Sequence, residues 1–212
     1  MNCTICEKRK AVRFCPAKGE KICAVCCGTQ REVTIDCVSD CSYLIAAHRY
    51  EDEHERQAPA GTPLFDVLLP HDLAYTHQKL IAALVFALVK FCAAQPAGTD
   101  SDVIAAVQAL AETHKTLLAG ILYEKPPDAP LPRELYATMM SMLAKVKQQQ
   151  TEQAGFRTLK DSEVFHVLVF LHRAGFMRSN GRPKSRRFIE FLRARFPQTP
   201  GVNKEEPRII VP

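Results

Sequence analysis

Hydrophobic residues beyond position 64 recur every three or four positions, the spacing that is typical of amphipathic α-helices. In the segment that follows residue 100, the side chains of Val103, Val107, Leu110 and Leu117 fall on one helical face. This pattern predicts helices over residues 76–94, 100–123, 133–150, 158–174 and 183–197. Because strand-like alternation of useful length is missing between residues 64 and 200, we predict an all-α helical bundle of about five helices there.

Local sequence marks the two ends of the second predicted helix. Asp100 or Ser101 is expected to cap its N-terminus, since short polar side chains accept hydrogen bonds from the first free N–H groups of a helix. Proline cannot continue a helix, and a cluster of prolines is expected to end this one, at Pro126, Pro127, Pro130 and Pro132. Near the end of the sequence, Ile209, Ile210 and Val211 are expected to form an edge strand or a docked tail.

The first 56 residues have a different composition, with few large apolar side chains and a concentration of cysteine. A segment of about 45 residues cannot bury enough apolar surface to fold alone. Eight of the nine cysteines lie in the first 41 residues, at Cys3, Cys6, Cys15, Cys23, Cys26, Cys27, Cys37 and Cys41. We therefore predict a cysteine-rich finger over residues 1–56, a linker over 57–63, a helical domain over 64–200 and a tail over 201–212.

Metal binding explains these cysteines better than disulfides do. We expect no secretory signal, because charged residues at positions 7–10 stand where an apolar segment would be needed. The most apolar run, residues 80–94, is interrupted by Lys90 and is shorter than the roughly 18 residues that span a bilayer. We therefore predict a cytoplasmic protein with reduced thiols, in which eight thiolates hold two tetrahedral Zn²⁺ ions per chain.

The adjacent residues Cys26 and Cys27 indicate how the ligands are divided. Neighbouring side chains point in different directions, so these two thiols are expected to serve different ions. If Cys23 and Cys26 form one Cys-x-x-Cys knuckle, Cys27 belongs to the other site. The first predicted site comprises Cys3, Cys6, Cys23 and Cys26, and the second comprises Cys15, Cys27, Cys37 and Cys41. His48 and His54 could replace a cysteine, but they are better explained as exposed residues of the following helix.

The spacing of these ligands resembles that of cross-brace zinc fingers of the B-box, MYND and HIT type. The first ligand pair, the isolated third ligand, the knuckle and the last pair correspond to Cys3/Cys6, Cys15, Cys23/Cys26 and Cys37/Cys41. Lys18 stands near the position of the fourth ligand of such fingers, so Cys27 would take its place. The resemblance covers residues 3–41. It implies a small zinc-stabilised module of short β-hairpins and a helix, with closed metal sites that serve protein–protein contacts.

A basic region near the C-terminus suggests a second interpretation. The chain has a formal net charge of +5, and basic residues are concentrated between positions 173 and 195. Cations on both sides of the turn at residues 180–183 could straddle phosphate groups. The candidate phosphate-binding residues are Arg178, Arg182, Lys184, Arg186, Arg187 and Arg193. The alternative is an ordinary amphipathic helix with a solvated basic face.

Motifs of catalysis are missing from the sequence, which contains no phosphate loop, nucleophile elbow or His-Glu-x-x-His. We therefore expect a protein that is not an enzyme. The leading hypothesis is a non-catalytic zinc-binding protein that acts in protein–protein recognition, with structural zinc, another protein as partner and no membrane. One alternative is a nucleic-acid-associated factor that uses the basic region. The other is a thiol redox sensor in which Cys26 and Cys27 oxidise and release zinc.

Overall fold

The computed structural model describes residues 1–54, 57–121, 123–154 and 159–196. Over these residues the chain forms one two-stranded antiparallel hairpin and eight helices. The strands are β1 (Arg13–Cys15) and β2 (Glu20–Ile22). The helices are α1 (Ala24–Gln30), α2 (Ser42–Glu53), α3 (Leu73–Thr76), α4 (Gln78–Ala94), α5 (Asp100–Leu118), α6 (Pro130–Ala154), α7 (Asp161–Arg178) and α8 (Arg187–Arg195). The predicted tail with Ile209, Ile210 and Val211 lies outside the described residues.

The N-terminal module, residues 1–54, is built on the hairpin and the first two helices. Arg13 pairs with Ile22 in the hairpin, and Gly19 supplies the positive φ of 69° that the turn between the strands requires. Ile22 and Ile35 form a small core whose other buried members are cysteines. The predicted arrangement of hairpin and helix is thus confirmed for one hairpin followed by α1 and α2.

The helical body, residues 64–196, has a hydrophobic core of its own. Helix α5 packs against α6, α7 and α8, and α4 packs against the same three helices. The buried positions of α5, among them Val103, Val107 and Leu110, recur at helical spacing as the sequence predicts. The prediction of a mostly helical fold is confirmed for the described residues, and α3 adds a single short turn to the five longer helices α4 to α8.

The start of α5 differs from the prediction. Thr99, rather than Asp100 or Ser101, caps the helix, and it forms a reciprocal capping box with Asp102. The N–H of Thr99 donates to the Asp102 carboxylate at 2.9 Å. Asp100 is therefore released from the capping role and points its carboxylate at another helix, as described below.

The proline cluster also acts differently from the prediction. Helix α5 ends at Leu118, before the prolines, and Pro130 begins α6 instead of closing the preceding helix. Proline is tolerated in the first helical turn, where its missing N–H would have had no partner within the helix. Arg133 holds the incoming loop, because its guanidinium donates to the carbonyls of Pro127 and Asp128, each at 2.9 Å.

Helix α4 is the most apolar of the long helices, and its side chains Leu84, Val85 and Leu88 are buried in the core. Within the described residues, no helix combines the length and the apolar composition that crossing a membrane requires.

Candidate metal centre and its interface with the helical body

Four cysteines of the N-terminal module converge at one point. The Sγ atoms of Cys3, Cys6, Cys23 and Cys26 all lie within 4.8 Å of one another. Those of Cys6 and Cys23 are 3.9 Å apart, close to the roughly 3.8 Å that separates two sulfurs on one tetrahedral zinc ion. The structure therefore brings the four residues of the first predicted site together at a spacing that suits a metal ion.

The first ligand pair is held by a tight turn at the start of the chain. The N–H of Cys3 donates to the carbonyl of Arg9 at 2.8 Å, and the N–H of Glu7 donates to the carbonyl of Cys3 at 2.8 Å. Glu7 has a positive φ of 55°, which reverses the chain directly after Cys6. The turn thus brings both thiols of this Cys-x-x-Cys pair to the same place.

The second ligand pair lies at the N-terminus of α1. Cys23 is the N-cap, and its Sγ accepts a hydrogen bond from the N–H of Cys26 at 3.3 Å. The free N–H groups at a helix N-terminus favour negative charge, so the position suits a thiolate. The fully buried Ile22, which precedes Cys23 at the end of β2, anchors this pair in the small core.

The four thiols do not ionise independently. Burial disfavours the thiolate of Cys3, but N–H donors of Cys23, Cys6 and Ile5 outweigh it and lower the pKa of Cys3 to about 6. Burial, together with the sulfurs of Cys23, Cys6 and Cys3, raises the pKa of Cys26 to about 12. Four thiolates this close repel one another, so complete deprotonation of the cluster requires a cation between them.

The donor set fits zinc. Four sulfurs without a carboxylate are the ligands of a closed structural zinc site, in which no position remains for water or substrate. The Arg9 guanidinium hydrogen-bonds to the sulfur of Cys23, and this bond and the negative charge of Cys6 raise the pKa of Arg9. Outer donors of this kind orient metal-bound ligands. The four cysteines of the first site would therefore hold the ion, with Arg9 behind one of them.

The second predicted set is less tightly grouped. Cys15 is buried and Cys27, Cys37 and Cys41 are half-buried. Burial raises the pKa of Cys37, and negative charge on Cys15 and Cys41 adds to the effect, so these three residues are electrostatic neighbours. The Sγ of Cys27 accepts a hydrogen bond from Arg31 at 3.8 Å. Across the described residues, no other set of three or more His, Cys, Asp or Glu side chains reaches the spacing of the first site. A second metal site stays a prediction.

The two histidines of α2 have different surroundings. His54 is exposed, as predicted, and stacks on Tyr50 with 4.1 Å between the ring centroids. The prediction of an exposed residue is wrong for His48, whose side chain is 14% exposed and whose Nε2 lies 3.1 Å from a carboxylate oxygen of Glu32. His48 therefore hydrogen-bonds to the buried carboxylate of Glu32.

The six candidate phosphate-binding residues make contacts within the chain. Five of them reach atoms of the N-terminal module, namely Arg178, Arg182, Lys184, Arg186 and Arg187. The sixth, Arg193, donates to the carbonyl of Cys92 at 3.1 Å, in the last turn of α4. The basic region is thus the seam along which the helical body meets the N-terminal module.

Arg182 closes the C-terminal end of α1. Its Nη1 donates to the carbonyl of Gly28 at 3.1 Å and to that of Arg31 at 2.6 Å. Carbonyls in the last turn of a helix have no partner within it and form the negative end of the helix dipole, which favours a cation. Cys23 is the N-cap of α1 and Cys26 lies in its first turn. This one short helix therefore links the candidate metal centre to the helical body.

Glu32 is a buried acid at the centre of the seam. The residue is 2% exposed and adopts a positive φ of 53°. Its carboxylate accepts hydrogen bonds from Asn180 at 2.8 Å and from His48 at 3.1 Å, and its carbonyl accepts one from the N–H of Lys184 at 2.8 Å. Burial disfavours ionisation, but the bonds from His48 and Asn180 and the charge of Arg182 outweigh it and lower the pKa of Glu32.

Two acids near the end of α2 extend the seam. Arg187 forms ion pairs with Asp52 and with Glu51, the second at 3.4 Å. Arg178 pairs with the same Asp52 at 3.4 Å, where both side chains are about half exposed. Such exposed pairs contribute less than about 1 kcal/mol each. The more buried guanidinium of Arg187 is therefore the stronger part of this contact.

The loop that follows α1 meets the other end of the basic region. Arg186 forms an ion pair with Asp36, which lowers the pKa of that carboxyl, and it also donates to the carbonyl of Gly98 at 3.1 Å. The Nζ of Lys184 donates to the carbonyl of Thr34 at 3.0 Å. One arginine thus bridges the module to the loop between α4 and α5.

Asp100 positions the segment that carries these cations. Its buried carboxylate accepts hydrogen bonds from Ser185 Oγ at 2.7 Å and from the N–H groups of Phe188 and Ile189, each at 3.1 Å. Its own N–H donates to the carbonyl of Ser185 at 2.8 Å. Burial raises the pKa of Asp100 in spite of these donors. This carboxylate fixes the start of α8 and hence the place of Arg186 and its neighbours.

Sequence reasoning missed Glu32 and the role of Asp100. The sequence contains no signal for either, since acidic and basic residues balance within the first 54 positions. Burial and pairing are tertiary properties, and no local pattern marks them.

Comparisons of the chain with protein-family models, with curated proteins and with solved structures found no match. The cross-brace resemblance rests on the cysteine spacing and on the cluster of Cys3, Cys6, Cys23 and Cys26.

Proposed function

We propose that this chain is a non-catalytic zinc-binding protein of the cytoplasm that acts in protein–protein recognition. The observation that carries the proposal is the convergence of four thiols within 4.8 Å of one another, at Cys3, Cys6, Cys23 and Cys26. Four thiolates occupy every position of a tetrahedral zinc ion, which leaves it a structural role.

The proposed role of the ion is to fold the module. The core of the N-terminal module contains few apolar side chains besides its cysteines, and a structural zinc site contributes about 10–16 kcal/mol in small zinc peptides. The ion would fix Cys23 and Cys26 at the start of α1, whose other end receives Arg182. Zinc would thus stabilise both the fold of the module and its contact with the helical body.

A second ion, held by Cys15, Cys27, Cys37 and Cys41, completes the proposal as a cross-brace finger. The support is that Cys27 and Cys37 pack against the small core that contains Cys15, and that negative charge on Cys15 and Cys41 helps to raise the pKa of Cys37. Arg31, which donates to the sulfur of Cys27 at 3.8 Å, would be an outer donor to that ligand.

Recognition of a protein is favoured over recognition of nucleic acid by the contacts of the basic region. Its cations are engaged by Asp36, Glu51, Asp52 and backbone carbonyls. Phosphate groups would have to displace these partners. A cleft lined by residues 36–40 of the module and by Cys92, Pro96 and Arg193 of the helical body is open to another protein.

Elemental analysis of the purified protein tests the metal part of the proposal. We expect two zinc ions per chain, and one ion would restrict the proposal to the first site. The double variant Cys3→Ser/Cys23→Ser should lose that ion, whereas Cys92→Ser, a buried cysteine outside the cluster, should retain it. A wild-type protein without zinc would overturn the proposal.

Affinity capture with the same variants tests the recognition part. Among the proteins captured by the wild type and by Cys92→Ser, those that bind the zinc-stabilised module should be lost with Cys3→Ser/Cys23→Ser. If nuclease treatment removes the captured material, or if the zinc-free variant captures the same proteins, the recognition role is refuted.

A further inference from the structure

An apolar groove crosses the helical body where α3 and α4 meet α7 and α8. It has a volume of about 560 Å³, within the roughly 300–1,000 Å³ of typical ligand pockets. Its floor is made by Val85, Leu171 and Leu192, which are nearly inaccessible to solvent. The rim includes Ala74, which is exposed, and Met177, which is 39% exposed. The groove is therefore an apolar concave surface that is open to solvent.

The charge on the rim has one sign. Arg178 and Arg195 line the groove, and the guanidinium carbons of both lie over the ring of Phe191, at 4.6 Å and 5.7 Å from its centroid. Among the described lining residues, none is acidic. Arg178 already pairs with Asp52 at 3.4 Å, so Arg195 is the rim cation that can meet a partner. Stacking on Phe191 keeps its guanidinium in place while its N–H groups remain able to bind a carboxylate.

We infer that this groove binds an amphipathic helix of a partner protein, with carboxylates beside its apolar stripe. The inference goes beyond the proposed function, because it adds a partner of the helical body to the proteins whose capture depends on the zinc-stabilised module. Apolar side chains at helical spacing would enter the groove, and Asp or Glu residues flanking them would meet Arg195. The described strands all lie in the N-terminal module, so the helical body offers no sheet edge for an extended peptide among its described residues.

The same charges disfavour a second copy of this chain as the occupant. A symmetric contact through this groove would bring Arg178 and Arg195 of both copies together, in a chain whose formal net charge is already +5. The remaining rival is the chain's own segment 197–212, which contains Glu205, Glu206 and Ile210 and lies outside the described residues.

Selection from a displayed library of helical peptides tests the inference on the full-length protein. The library has a fixed apolar stripe and all four charged residues in equal proportion at the flanking positions. We expect the selected peptides to be enriched in Asp and Glu over Lys and Arg. A library that yields no binder, or binders enriched in Lys and Arg, overturns the inference.

Matched variants then place the bound peptide. Ala74→Glu places a negative charge on the rim, where it repels the acidic peptide, and should weaken binding of that peptide by about tenfold or more. Ala82→Glu, at an exposed position of α4 that does not line the groove, should leave the affinity unchanged. Arg195→Glu should lose the acidic peptide and bind its lysine-substituted counterpart, a result that misfolding cannot produce. Equal affinity of all three variants for the acidic peptide refutes the groove as the site.

A triple variant of the full-length chain, Ile209→Ser/Ile210→Ser/Val211→Ser, tests whether the segment 197–212 competes with the peptide for the groove. Unchanged peptide affinity supports an external helix, whereas a gain of about tenfold means that the tail competes for the groove and overturns the inference. Zinc content separates this test from that of the proposed function. A protein that holds zinc but selects no acidic helix loses only the present inference, and the groove lies wholly outside the metal module.

Discussion

The carboxylate of Glu32 accepts a hydrogen bond of 2.8 Å from the side chain of Asn180, which lies 148 residues further along the chain. The same carboxylate accepts a hydrogen bond from the ring of His48 in α2. One buried acid therefore connects the loop after α1, the helix α2 and the turn before α8. The N-terminal module and the helical body are joined at this point by polar contacts, and their hydrophobic cores remain separate.

Neutralising this acid should loosen the seam. Glu32→Gln retains the shape of the side chain but points an N–H group at the donors of His48 or Asn180. We expect the free energy of unfolding to fall by about 1–3 kcal/mol in chemical denaturation. Glu20→Gln, at an exposed position of β2, should change it by less than about 0.5 kcal/mol. Equal values for the two variants would show that the buried contacts of Glu32 contribute nothing.

Removal of the metal should unfold the module and spare the helical body. The two regions have separate cores, and a closed zinc site stabilises a small module through its ligands. After treatment with a strong zinc chelator, hydrogen exchange should become fast in residues 1–54 and stay slow in α5 and α7. Protection of residues 1–54 that survives complete zinc removal would contradict this prediction.

Loss of the Arg182 guanidinium should release the C-terminal end of α1. Arg182→Ala leaves the carbonyls of Gly28 and Arg31 without their donor. We expect faster hydrogen exchange in α1 and a loss of about 1–3 kcal/mol of stability. Arg195→Ala is the control, because Arg195 lies at the end of α8 and its contact is with Phe191. An exchange pattern shared by both variants would refute the link through α1.

The start of α8 should depend on Asp100 and not on its neighbour. Asp100→Ala removes the acceptor of Ser185 and of two backbone N–H groups in a buried site. We expect a loss of about 2–4 kcal/mol on thermal or chemical unfolding. Ser101→Ala, at an exposed position, should have an effect below about 0.5 kcal/mol. If both substitutions are tolerated alike, Asp100 does not organise this helix.

His172 should make the fold sensitive to acid. Its side chain is 2% exposed, its Nδ1 has no hydrogen-bond partner among the described residues, and burial lowers its pKa below the ordinary 6.5. As the pH falls through that value the unfolded chain binds the proton first, so stability decreases until the lowered folded pKa is reached.

The substitution His172→Leu should therefore flatten the loss of stability that sets in as the pH falls below about 6.5. At neutral pH it should be neutral or stabilising, because it removes a buried polar atom without a partner. Urea denaturation at several pH values measures both effects. His71→Leu, at an exposed position, controls for the loss of a surface histidine. An unchanged slope in His172→Leu would show that this histidine does not titrate on unfolding.

Much of the local structure could be predicted from sequence. The five long helices follow from apolar spacing, and the cluster of Cys3, Cys6, Cys23 and Cys26 follows from two Cys-x-x-Cys pairs and the separation of Cys27 from Cys26. The helices and each Cys-x-x-Cys pair are reliable because they join residues within one or two turns of the backbone. The meeting of the two pairs, 17 residues apart, follows from the four ligands that a tetrahedral zinc ion needs. The cap of α5 was misassigned for a related reason, since Thr99, Asp100 and Ser101 all have the side chains that cap a helix.

The partners of the basic region could not be read in the same way. Arg182 and Arg187 look like phosphate ligands when only their neighbours in sequence are considered. Their acceptors lie in the first 54 residues, more than 130 positions away. A cation next to other cations suggests an anionic ligand, and the sequence does not show that the anion belongs to the same chain.

The sequence by itself determined the helical periodicity, the sparse core of the module and the cysteine spacing that favours zinc. These depend on short-range geometry and on composition. The tertiary structure alone decided that Glu32 is buried, that Arg182 closes α1, that Asp100 starts α8 and that an apolar groove remains open. Each of these depends on segments that meet only after the chain has folded, because burial and charge pairing are set by neighbours in space rather than in sequence.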